Sequence, residues 1–272
     1  MKPGSIDEYI KIYRDGLMND TIPFWIRHSI DTEHGGFMFS VDRDGTRLDT
    51  DKGMWQTCRF TWMLATLYNQ VEQKKEWLDL ALHGIDFISK HGFDDDGRMF
   101  FHLTRDGKPI RKRRYVYTET FGAIAFAAVY KATGEKKYAD KAQELFDLII
   151  RHFNDPSLSA PKFTDTRPMK GMVNPMVSIV TAQELRKNLE DEGYTEYISH
   201  SIAEIHADFM RPEFNAVLEN VGTDGRFHDH FDGRMLCPGH SIESAWFILN
   251  EAKQRGNDPE LVNIGTTILD WM

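Results

Sequence analysis

Cysteine is scarce in this chain: two residues in 272, Cys58 and Cys237, too few for a disulfide framework. Long apolar runs are missing too, and none approaches the roughly 20 residues that cross a bilayer. Positive charge is in deficit, with 33 Lys plus Arg against 42 Asp plus Glu and a net charge of -9. An acidic balance spread along the chain speaks against a nucleic-acid partner. Its one basic cluster, Arg111 to Arg114, reads as a solvated loop. Met1-Lys2-Pro3-Gly4-Ser5 has no apolar core of a signal peptide, so a reduced, cytoplasmic setting without membrane contact is expected. Neither a GxGxxG nor a P-loop occurs, which leaves no recognisable nucleotide cradle.

What the sequence has is helical periodicity. Apolar residues recur at 3.6-residue spacing at Ile6, Tyr9, Ile10, Tyr13 and Leu17, at Phe60, Met63, Leu64, Leu67 and Val71, and again in segment after segment to Leu261, Ile264 and Ile268, about nine helices in all. Strand-like alternation is confined to Phe37, Phe39, Val41 before Asp44-Gly45 and to Met99, Phe101, Leu103 before Asp106-Gly107, two expected ribbons.

The connections alternate in length. Short charged turns (Gln73 to Lys75, Thr133 to Lys136, Asp191 to Thr195, Gly256 to Glu260) pair each even helix with its successor, and long loops (Asp31 to Gly53, Gly92 to Tyr115, Asp155 to Gly171, Arg211 to Gly239) follow the odd ones. This is a helix-hairpin repeat of about 60 residues. Such hairpins either stack as an open solenoid or close into a toroid of two concentric helix rings, commonly of twelve helices, and aromatic, loop-rich hairpins with polar residues at one mouth favour the toroid. About nine helices within a single domain over residues 1–272 therefore predict an all-α barrel that stops short of closure at its C-terminus.

In a toroid every long loop opens on one rim, so the first turns of the even helices converge. They carry Trp55 and Arg59, then Tyr117 and Glu119, then Asn174 and Met176, then His240 and Glu243. Aromatic faces with charged hydrogen-bonding groups suit a sugar. His240 stands at a helix N-terminus, where the dipole disfavours the imidazolium and keeps the ring ready to take a proton. His228, Asp229, His230, Cys237 and His240 have a spacing that permits a metal, but no CxxC or HExxH supports one, and none is expected.

At these residues the chain resembles the N-acylglucosamine 2-epimerase family, which includes cellobiose 2-epimerases and aldose-ketose isomerases. The resemblance runs end to end through Gly35-Gly36-Phe37, Trp55-Gln56-Thr57-Cys58-Arg59, Gly97-Arg98-Met99-Phe100 with Thr104 to Gly107, Tyr117 to Phe121, Leu218-Glu219-Asn220 and Pro238-Gly239-His240-Ser241-Ile242-Glu243-Ser244-Ala245-Trp246. It implies an (α/α)6 barrel, His240 as one of two catalytic histidines, and Arg59, Glu219, Arg234 and Glu243 as sugar contacts or supports. Met172-Val173-Asn174-Pro175-Met176, without the early histidine of the disaccharide epimerases, is similar to the N-acyl hexosamine branch. That branch implies interconversion of N-acylglucosamine and N-acylmannosamine, no cofactor for the chemistry, ATP as an activator, and a homodimer. The family's second catalytic histidine falls beyond Met272, so the expectation is either a piece of a longer product or a chain without two-base catalysis. Rival readings are an aldose-ketose isomerase, an inverting glycosidase using Glu119 and Glu219, and a sugar-binding relative that has lost catalysis.

Overall fold

The apolar spacings translate into helices throughout the computed structural model, which describes residues 4–272. Met1, Lys2 and Pro3, part of the N-terminal signal reading, lie outside the described residues. The chain divides into two compact units, one ending at Arg113 and one running from Arg114 to Met272.

The first unit opens with α1 (Ile6–Gly16), a π-helical turn (Leu17–Thr21) and α2 (Ile22–Ser29), without an intervening loop. The π turn rotates the apolar pattern out of phase, and α2 escapes the 3.6-residue reading for that reason. With it, the described residues contain ten α-helices rather than about nine. α1 buries none of its residues, although Ile6, Ile10 and Tyr13 fall at helical spacing. The unit continues with β1 (Lys52–Gly53), the hairpin α3 (Met54–Gln70) and α4 (Lys75–His91), and the ribbon β2 (Phe100–Leu103) and β3 (Pro109–Lys112), which forms an antiparallel sheet in the order β1-β2-β3. Gly107 takes φ +87° in the turn of that ribbon, with the His91 ring so close that a Cβ would lie 2.3 Å from Nδ1. The other expected ribbon is reduced to single bridges, Ile30 with Phe37 and Val41 with Arg47, because Phe37 turns fully inward against Phe60 at 4.8 Å instead of alternating along a sheet.

The basic cluster is not a free loop. Arg111 and Arg113 place their guanidinium groups 5.3 and 4.2 Å from the centre of the Phe101 ring, a cation–π arrangement. In the second unit Arg114 donates to the Ala160 carbonyl at 3.1 Å.

The second unit contains three further hairpins: α5 (Tyr117–Thr133) with α6 (Lys136–Asn154), α7 (Val173–Leu189) with α8 (Tyr194–Glu204), and α9 (Pro238–Gln254) with α10 (Pro259–Trp271). α5, α7 and α9 pack side by side, and each has its hairpin partner against it, giving a double row. Composition explains the rows. α5 is apolar from Phe121 to Tyr130 and buries Gly122 to Val129 without a break, whereas α6 buries one stripe through Tyr138, Ala142, Leu145 and Ile149, as an outer helix should. Gly265 on α10 admits close packing, since a Cβ there would meet Leu249 at 2.6 Å. Short pairs β4 (Met169–Gly171) with β7 (Asn220–Gly222), and β5 (Met210–Arg211) with β6 (Ala216–Val217), tie the long loops together.

α10 begins with Asp258 as N-cap, its Oδ1 accepting from the Glu260 and Leu261 amides at 2.9 and 3.3 Å, and Pro259 in the first turn. Asp258→Ala is expected to cost about 1 kcal/mol; a denaturant midpoint equal to that of the parent protein would refute the cap.

Candidate active site

The site is built on the start of α9. Pro238 fixes the first turn, and His240 follows two residues later with a partly exposed side chain. Its Nδ1 lies 3.1 Å from both carboxylate oxygens of Glu219. Glu219 is held by its backbone on two sides: its N–H donates to the Met235 carbonyl at 2.9 Å, and its carbonyl accepts from the Met172 amide at 3.0 Å. The adjoining β4–β7 pair, with Gly171 opposite Asn220, fixes Glu219 against the start of α7. An ionised carboxylate only accepts hydrogen bonds, so Nδ1 carries the hydrogen and the neutral ring keeps its lone pair on Nε2. The arrangement is an imidazole whose tautomer is set by a buried carboxylate.

Tyr117, at the head of α5, donates its hydroxyl to Asn174 Oδ1 at 3.0 Å, and the Tyr115 ring packs over it at 4.7 Å. Burial, and then the negative charge of Glu219, push the Tyr117 phenol well above its ordinary value. It therefore remains a neutral donor at any working pH. Met176, two residues after Asn174 on α7, is buried, and Glu119 is fully buried on α5.

Not every expected residue joins this group. Arg234 is exposed and donates from Nε to Asp229 Oδ1 at 2.6 Å, because the Asp232-Gly233 turn carries it to the outside of the loop. Glu243 is exposed one turn beyond His240. Neither hydrogen-bonds to Glu219 or His240. Trp55 and Arg59 belong to the first unit, where the Trp55 ring meets Phe101 edge-on at 5.2 Å and the Arg59 guanidinium lies 6.0 Å from the Trp55 ring centre. Of the expected metal-permissive histidines, His228 and His230 have ring centres 6.0 Å apart, and His230 Nδ1 accepts from the Asp232 amide. Cys237 instead approaches His240 together with Glu219. A cleft of about 740 Å³ between α6, α7 and α8 takes in Asn174 but neither Glu219 nor His240. The backbone anchors at Met172 and Met235 have no signature in the sequence, since any residue supplies an amide and a carbonyl.

Comparison with solved structures defines the fold. The cellobiose 2-epimerase of Bacillus thermoamylovorans B4167 superposes with a TM-score of 0.82 over 98% of this chain and 72% of that one, at 22% identity, so the fold is the α/α toroid. The family is shown by sequence: the model of the N-acylglucosamine 2-epimerase (GlcNAc 2-epimerase) family matches residues 35–269, and the chain belongs to it. The N-acylglucosamine 2-epimerase of Mus musculus is 33% identical over 257 residues, 90% of this chain. The cellobiose 2-epimerase of Dictyoglomus turgidum is 26% identical over 249 residues, covering 85% of this chain and 62% of that protein. The chain spans 60% of the length of the mouse relative.

Proposed function

We propose that this chain carries a C2-deprotonating base of a sugar 2-epimerase whose substrates are N-acyl-D-glucosamine and N-acyl-D-mannosamine. The observation that carries the reading is the His240–Glu219 pair at the head of α9. The choice of N-acyl sugars is supported by the higher identity to an N-acylglucosamine 2-epimerase than to a cellobiose 2-epimerase.

Opening the sugar ring frees the C1 aldehyde and makes the C2 proton acidic. His240 Nε2 takes that proton, Glu219 stabilises the imidazolium that forms, and the electrons of the C2–H bond pass through C1–C2 to the C1 oxygen as an enolate. Returning a proton to the opposite face of C2 inverts it. No electrons are gained or lost, so no redox cofactor takes part, and ATP acts as an activator that is not consumed. The reading includes a cytoplasmic homodimer as the working form.

The test is proton NMR in deuterated buffer with N-acetylglucosamine and N-acetylmannosamine in turn, with and without ATP, on this chain and on a product extended to the relatives' length. Loss of the C2 proton signal is expected from both proteins, and the opposite epimer from the extended one. Fructose formed from unmodified mannose or glucose, with neither N-acetyl sugar exchanged, would assign an isomerase instead. An unchanged C2 signal in every sample would overturn the reading.

A further inference from the structure

Glu219, Cys237 and His240 bring a carboxylate oxygen, a sulfur and an imidazole nitrogen within 4.8 Å of one another. We propose that these three side chains form a binding site for a thiophilic divalent cation, Zn2+ or its larger analogue Cd2+, and that an ion seated there switches off His240 as a base. The switch rests on the function proposed above; the binding site does not.

The donor set selects the ion. One sulfur, one imidazole nitrogen and one carboxylate oxygen form the mixed set that borderline-soft cations prefer, whereas Mg2+ and Ca2+ require several oxygens. Bonds of about 2.0–2.3 Å in a tetrahedron place the donors about 3.3–3.6 Å apart. His240 Nδ1 and Glu219 already stand 3.1 Å apart, so only the sulfur has to close in. Cys237 is free to do so. It is the N-cap of α9 and its side chain makes no capping hydrogen bond, so turning about its Cα–Cβ bond breaks nothing. Glu219 is buried and pinned by its backbone, which leaves one partner prearranged. With three protein donors the fourth position of the ion is open to water.

The switch follows from the tautomer. As a base, His240 holds its hydrogen on Nδ1, toward Glu219, and its lone pair on Nε2. An ion on the Glu219 side takes a lone pair from Nδ1, which forces the ring hydrogen onto Nε2. A ring in that state has nothing left with which to accept a proton. Cation and substrate proton thus compete for the same imidazole from opposite edges.

Cd2+ titrated into chelator-treated protein without sugar is expected to produce a thiolate-to-cadmium charge-transfer absorption that saturates at one equivalent. Cys58, the chain's other cysteine, is fully buried within α3, so Cys237→Ser should abolish the band and weaken binding about tenfold or more. Serine is a good N-cap, and the helical circular dichroism of this variant should match the parent. No band in the parent protein, or an undiminished band in Cys237→Ser, would overturn the site. In the exchange assay, Zn2+ is expected to halt C2 exchange by the parent protein at concentrations that leave Cys237→Ser running. Equal sensitivity of the two proteins would overturn the switch. A parent protein inactive even without metal would overturn the epimerase reading alone, and the absorption titration would still decide the site.

Discussion

His240→Ala is expected to lower the rate of C2 proton exchange by about 10³-fold, within the range that a positioned general base supplies. The fall should lie almost wholly in kcat. His240 acts on the proton in transit and contributes little to holding the ground-state sugar, so KM should move little. Glu219→Gln leaves an oxygen able to accept from Nδ1–H but removes the charge that stabilises the imidazolium. Its expected loss is smaller, about a hundredfold. This order is the discriminating feature. A merely structural role for the pair would give the opposite one, because Glu219 is buried and His240 is partly exposed. Single-turnover exchange measured by NMR, beside circular dichroism of both variants, reads rate and fold separately. Exchange by His240→Ala at the parental rate would place the base elsewhere.

The largest effect on stability is expected in the first unit, at Lys52. This side chain is completely buried. Its ammonium donates to Asp31 Oδ2 at 2.9 Å, to the Arg105 carbonyl at 2.7 Å and to the Gly35 carbonyl, and it lies 4.3 Å from the centre of the Phe87 ring. Asp31 also accepts from Arg105 at 3.0 and 2.9 Å. Breaking a buried pair by removing one partner costs about 3–5 kcal/mol. Lys52→Met should fall at the lower end, since Asp31 keeps Arg105. Asp31→Asn should fall at the upper end, since it strands a buried ammonium beside a second cation. Burial works against the Asp31 charge, but hydrogen bonds from Arg105 and Lys52 outweigh it and hold the carboxyl far below the usual carboxylate range. A depressed carboxyl contributes stability that is complete above its unfolded pKa of about 3.8 and drains away as the pH falls below it. Urea midpoints at pH 7 and pH 3 should therefore separate parent from Asp31→Asn widely at the higher pH and by a smaller margin at the lower, where part of that stability has been lost. Equal separation at both would refute the ion pair as the cause.

The hairpin repeat was legible because the information is local. Each inner and outer helix declares itself by an apolar face, and each short turn by its charge, so the long loops follow by subtraction. α2 was not legible, because the π turn before it inserts a phase shift that a fixed period cannot follow. The exposure of α1 was not legible either: spacing at Ile6, Ile10 and Tyr13 fixes a face and says nothing of whether anything covers it. At the site, His240 stood out through its place at a helix start, whereas Glu219 came only through the family resemblance, since its surroundings are a loop whose course is set by backbone hydrogen bonds. Arg234 shows the limit of resemblance, its guanidinium being engaged by Asp229 on the outside of the loop. Lys52 was missed entirely. A lysine in a polar loop carries no mark that it will be buried, and the aspartate that makes burial tolerable lies 21 residues away.

The β4–β7 pair has one more consequence, which concerns time. The hairpins of the second unit join neighbours in sequence across turns of a few residues, and contacts of that kind form early. The Gly171–Asn220 register instead closes a loop that contains all of α7 and α8, and Glu219 reaches His240 only after that closure. Loop-closure entropy makes such contacts late ones. The helices are thus the quick part of this molecule to assemble, and the acid that orients its histidine is among the last groups to arrive.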